Sequence, residues 1–110
     1  MIDSKILKAE IIECLKPLGL EKIILFGSYA YGTPTKDSDV GLYVVTKDDF
    51  IPQGFEESMD IKRKVANRVA EIMTEIPTDL LVHTKKMHER FVELNSSFSK
   101  KILNDGVRIL

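Results

Sequence analysis

A chain of 110 residues, 44% hydrophobic and 30% charged, is long enough for one compact domain with its own core, so residues 1–110 are expected to form a single domain. Lys and Arg number 16 against 17 Asp and Glu, and a net charge of −1 argues against an extended basic surface for nucleic acid. No run is apolar enough to span a bilayer or serve as a leader, and the lone Cys14 excludes an internal disulfide and fits a reducing, cytoplasmic setting.

Asp3 or Ser4 can cap a first helix with Ile6, Leu7, Ile11, Ile12 and Leu15 on its apolar face, ended by Pro17 and Gly19. Cys14 falls within this pattern and reads as a core residue. Lys22–Phe26 is an apolar run that predicts a first strand, and Ser28–Tyr31 a helical turn closed by Gly32 and Pro34. Val40–Val45 predicts a second strand, and the segment up to Gly54 a loop. Phe55–Met73 reads as one long helix, with Ile61, Val65, Val69, Ile72 and Met73 buried. Thr78–His83 predicts a third strand. Thr84 can cap a helix to Leu94, Ser96 or Ser97 can start another that stops near Gly106, and Val107–Leu110 can close the sheet. The order predicts an α/β (α+β) layer, helices packed on a small mixed sheet.

The chemistry concentrates between Phe26 and Leu42. A Gly27-Ser28 turn leaving a buried strand exposes backbone N–H groups that can hold a phosphate. The glycine permits close approach, and the serine hydroxyl can donate. Asp39 sets a carboxylate at the mouth of the second strand, and a phosphate cradle beside a carboxylate suits a nucleotide with Mg²⁺. The plain alternative for Gly27-Ser28 is an ordinary strand-to-helix turn.

The pattern Gly27-Ser28-x-Ala30-x-Gly32, followed by Ser38-Asp39 and Leu42, resembles the signature of the minimal nucleotidyltransferases, small members of the DNA polymerase beta superfamily. It is similar also to the core of kanamycin nucleotidyltransferase. The resemblance covers nearly the whole chain and departs from the family at Gly41, where the second aspartate of an Asp-x-Asp pair would stand. It implies a nucleotidyltransferase palm-like fold. It implies transfer of a nucleoside monophosphate, AMP from ATP, to a hydroxyl acceptor, with Mg²⁺ and release of pyrophosphate. Gly27 and Ser28 would bind the nucleotide, and Asp39 and Asp79 would be the metal-binding and catalytic carboxylates. The implied partner is a small helical HEPN-type protein in a toxin–antitoxin pair, or a second copy of this chain.

Position 41 decides how much activity such a site can support. Alternate residues of a strand share a face, so Asp39 and an aspartate at 41 would be adjacent ligands, and Gly41 offers none. Transfer is therefore expected to be impaired, and Gly41→Asp is expected to restore it. The alternative is an inactive binder that neutralises its partner sterically. Asp37-Ser38-Asp39 is itself an Asp-x-Asp, although Asp37 fits an exposed turn residue equally well. Asp79 enters an apolar strand, which is unfavourable unless the carboxylate is paired, bound to a cation or exposed at the strand end. His83 and His88 lack the spacing of a helical zinc pair, and His83 reads as a strand end. Lys62, Arg63, Lys64, Lys85 and Lys86 read as solvated helix faces.

Overall fold

The computed structural model describes residues 3–27, 29–30 and 39–110. Helix α1, Ser4–Leu15, starts where the Asp3 carboxylate accepts the Lys5 N–H at 2.8 Å. It buries Leu7, Ile11 and Leu15, spaced four apart. The expected apolar face is narrower than its sequence: Ile12 is half-buried and Ile6 is 56% exposed, one position and so about 100° round the helix from Leu7. A 3-10 turn, Lys16–Leu18, ends the helix around Pro17.

Strands β1 (Lys22–Phe26), β2 (Val40–Val45) and β3 (Thr78–His83) have the boundaries expected from their apolar runs. With β4, Val107–Arg108, they form one sheet in the order β3-β2-β1-β4. β1 pairs antiparallel with β2 and β4, and β2 pairs parallel with β3. Every residue of β2 is buried, as a central strand covered on both faces requires.

The two faces have separate cores. Ile23, Leu25, Val40, Leu42 and Val44 pack with α1 and with Val65, Val69 and Ile72 from the middle of the chain. Ile24, Phe26, Tyr43 and Val45 pack on the other face with Phe91 and Ile102.

The single helix expected over Phe55–Met73 is two: α2, Phe55–Arg68, and α3, Ala70–Glu75. They meet at Val69, with φ −108 and ψ 14, whose N–H is shared between Val65 O at 3.3 Å and Ala66 O at 3.2 Å. The apolar spacing continues through the break because Val69 is itself 1% exposed core. Helix α4, Lys85–Leu94, is capped by Thr84, whose Oγ1 accepts the Met87 N–H at 3.2 Å. Helix α5, Ser97–Lys100, is capped by Ser96 and runs into a π-helical turn, Lys101–Asp105, that delivers the chain to β4.

Candidate functional site

β1 ends at Phe26, and Gly27 follows with φ +88, a conformation that a side chain makes strained. The Ala30 N–H donates to Gly27 O at 3.0 Å and closes a turn. A Cβ on Gly27 would stand 3.5 Å from Asp39 O and 3.8 Å from Gly41 N, so the turn lies against the lead-in to β2. Gly27 and Asp39 therefore share one end of the sheet. Ser28, Gly32, Asp37 and Ser38 lie outside the described residues, as does Tyr31, so that of the helical turn expected at Ser28–Tyr31 only Tyr29 and Ala30 are described.

Strand register brings three separated residues into a row. Phe26 is opposite Gly41 across the antiparallel pair, and Gly41 is opposite Asp79 across the parallel pair. Directly opposed residues point to the same face. Asp39, two residues before Gly41, belongs to that face by alternation. Asp39 and Asp79 are both exposed, and Asp79 stands near the start of edge strand β3.

Gly41 is buried, and its missing side chain leaves no open space. A Cβ built there falls within the Phe26 ring, 2.7 Å from Cγ and closer still to Cδ2 and Cε2. An aspartate at Gly41 therefore needs the ring, a side chain filling the space that the glycine leaves, to turn aside. Mg²⁺ takes oxygen ligands and needs only one or two protein carboxylates when waters and phosphates complete its shell. The Asp39 and Asp79 pair fits such an ion by chemistry and face. Gly41 itself supplies no oxygen for a second ion.

The same face carries a polar cluster that sequence reading missed. Tyr43 Oη lies 2.8 Å from His88 Nδ1 and 2.9 Å from His83 Nδ1, and Lys22 Nζ lies 3.4 Å from His88 Nε2. With Lys22 donating to His88 Nε2, the His88 Nδ1–H donates to Tyr43, and the Tyr43 hydroxyl donates to His83 Nδ1. One consistent direction of donation thus satisfies all these groups. Burial, and then the charge of His88, hold His83 below the ordinary histidine range. Burial lowers His88 as well, reinforced by Lys22 and opposed by Glu21 and Glu89. Burial also pushes the Tyr43 phenol upward. His83 does end β3, as expected, but its ring joins this buried cluster. The signal that could have found it was a tyrosine in the middle of one apolar strand, β2, and a histidine ending another, β3.

Lys62, Arg63, Lys64, Lys85 and Lys86 are exposed, as expected of solvated faces. Cys14 is half-buried, lining rather than filling the core, in a groove of about 760 Å³ that Ile6, Glu10, Arg68 and Glu71 also line. This groove lies among α1, α2 and α3, on the opposite side of the sheet from the Phe26–Gly41–Asp79 row.

The model of the family described as "Polymerase beta, Nucleotidyltransferase" matches residues 9–110. The chain is 30% identical over 87 residues to the "Putative protein adenylyltransferase MJ0604" of Methanocaldococcus jannaschii, a match spanning 79% of this chain and 75% of that protein. A crystal structure of a toxin–antitoxin with AMP-PNP superposes with TM-score 0.61 at 20% identity, over 94% of this chain and 72% of the other. A crystal structure described as a "putative nucleotidyltransferase" from Sulfolobus solfataricus superposes with TM-score 0.55 at 21% identity, over 80% of this chain and 72% of the other. The mixed sheet with helices on both faces is the fold of these neighbours.

Proposed function

The chain belongs to the polymerase beta nucleotidyltransferase family, and from that premise we propose that it binds ATP with Mg²⁺ at the end of the sheet shared by Gly27, Asp39 and Asp79. The observation that carries this reading is the shared edge: the positive-φ turn at Gly27 packs on Asp39, and Asp79 is in register beside Gly41. Backbone N–H groups of the Gly27-Ser28 turn and the Ser28 hydroxyl hold the triphosphate. Asp39 holds the cation-bearing end of the nucleotide, and Asp79 binds the cation or takes the proton of an acceptor hydroxyl. Mg²⁺, when bound, supplies charge neutralisation of the phosphates. The transfer implied is of AMP to a hydroxyl, with pyrophosphate leaving, at a rate much reduced by the missing carboxylate at position 41.

The acceptor is a partner protein. Support comes from the toxin–antitoxin neighbour and from the relative described as a protein adenylyltransferase. A helical HEPN-type toxin, with this chain as antitoxin, is the partner that fits. Among the described residues no helix is long and apolar enough to cross a membrane. A second reading, binding without transfer and neutralisation of the partner by contact alone, is favoured by the missing carboxylate at Gly41.

The test is calorimetric titration with AMP-PNP and Mg²⁺, paired with transfer of α-labelled ATP to the neighbouring gene's product. Binding should weaken more than tenfold in Ser28→Ala and in Asp39→Asn, since a hydrogen bond to a charged group contributes about 1.5–3 kcal/mol. Affinity unchanged in both variants would remove the nucleotide site from this edge. Labelled partner separates slow transfer from binding alone.

A further inference from the structure

We infer that the groove among α1, α2 and α3 is a docking surface for a partner protein that presents a basic amphipathic helix. The inference stands apart from nucleotide binding, because the groove lies across the sheet from the Phe26–Gly41–Asp79 row.

The groove joins an apolar lining to an acidic one. Ile72 is buried and Cys14 half-buried within it, while Ile6 and Ala9 of α1 line it and remain exposed. Glu10 and Glu13 from α1 and Glu71 and Glu75 from α3 are exposed around these residues. Four glutamates against Arg68 give the lining a charge of −3, in a chain whose total is −1. Arg68 is engaged elsewhere, its Nε donating to Cys14 O at 2.8 Å and tying the end of α2 to α1. Among the described residues none of the four glutamates forms an ion pair.

This placement is unfavourable for the free chain. Glu10 and Glu13 are three apart on α1, and Glu71 and Glu75 four apart on α3, spacings at which like charges repel. Glu13 lies in the last turn of α1 and Glu75 ends α3, where the helix dipole disfavours a carboxylate, and neither last turn holds a basic residue. A cationic surface seated in the groove relieves all of these at once.

Charge, shape and polarity select the occupant. Among the described residues no three carboxylate, imidazole or thiol groups converge as metal ligands, so the glutamates do not meet on one ion. They are spread along the groove and match several positive charges in a row. Nucleic acid and anionic lipid carry the wrong sign, and a second copy offering this same face would repel it. A polyamine supplies the charge but nothing to cover Ile6, Ala9 and Ile72. A helix with an apolar stripe flanked by Lys or Arg supplies both, and a groove of about 760 Å³ between helices suits one.

The full-length chain can be titrated with a fluorescent helical peptide carrying leucines on one face and lysines beside them. A scrambled peptide of the same composition and spermidine are the comparisons, and amide chemical shifts locate the contact. The helical peptide should bind, shift Ile6, Ala9, Asn67 and Ile72, and lose affinity as salt is raised. Glu10→Gln with Glu71→Gln should weaken it about tenfold, and so should Ile6→Ser, whereas Glu93→Gln, on α4 across the sheet, should leave it unchanged. The double glutamine variant should melt no lower than the wild type, since it removes repulsion, which separates lost affinity from lost fold. No binding of the helical peptide, shifts mapped to another face, equal binding of the scrambled peptide, the same shifts with spermidine, or indifference to the glutamines would each overturn the inference. Absence of AMP-PNP binding with the peptide still seated would instead overturn the nucleotide-binding function and leave the groove standing.

Discussion

Tyr43 is fully buried in a central strand, and its hydroxyl is kept there by two imidazole nitrogens. Tyr43→Phe removes that hydroxyl and leaves nitrogens of His83 and His88 without partners. The expected loss is about 1–3 kcal/mol, read as a lower denaturant midpoint at unchanged m-value. The same cluster sets a pH response. Folding holds both histidines below their ordinary value of 6.5, so between 6.5 and the lower folded values the unfolded chain binds protons that the folded chain refuses. Stability should therefore fall as pH drops below 6.5, while above it the pair adds no slope. Melting temperatures of the wild type and His88→Gln between about pH 5 and 8 check this, and the variant should show the smaller drop. A variant curve parallel to the wild type would locate the titration elsewhere. At this scale Asp39 and Asp79 were legible as carboxylates at the ends of apolar runs. Phe26 was not, since nothing in a run of apolar residues says which ring leans onto a glycine of the next strand.

Among the elements, α4 depends most on one residue. Thr84 is 0% exposed and acts twice: its Oγ1 accepts the Met87 N–H and donates to Phe50 O at 2.6 Å. It thereby caps the helix that lays His88 and Phe91 on the sheet. Thr84→Ala should cost about 1–3 kcal/mol, adding the loss of the part-buried bond to Phe50 O to the lost cap. Thr84→Ser should recover most of it in the same denaturation experiment. β1, β2 and β3 were legible to the residue because each holds an apolar run bounded by a turn or a change of polarity, whereas β4 is two residues shorter than expected; Thr84 was legible as a cap from its hydroxyl, and Asp3 and Ser96 each as one of two candidates. The break at Val69 was not, because a buried valine in phase with Val65 and Ile72 continues the apolar pattern while its backbone leaves the helix. The histidine–tyrosine cluster was invisible for another reason: its members lie 40 and 45 residues apart.

At the scale of the whole molecule, the sheet divides the work. One face seats α1, α2 and α3, and the other carries the row that ends in Asp79. β4 is the shortest strand, yet it closes the outer edge of β1 with help from the residues after it. Ile109 N–H donates to Ile23 O at 2.8 Å, and Ile23 N–H donates to Leu110 O at 3.3 Å. Removing residues 107–110 uncovers those groups along an apolar strand, so the shortened chain should form concentration-dependent oligomers in size-exclusion chromatography. A shortened chain that stays monomeric at high concentration would show that the edge is protected by other means.

That closing strand also orders events at the ribosome. β1, β2 and β3 are synthesised before it, and β2 can find both of its partners as soon as His83 has emerged. β1 cannot pair on its outer side until residues 107–110 leave the exit tunnel. Until then the nascent chain carries a three-stranded sheet in which β1, like β3, presents an unpaired edge. During that interval an unpaired apolar edge is exposed to other nascent chains and to holding chaperones. The outer side of β1 is covered only once residues 107–110 are in place.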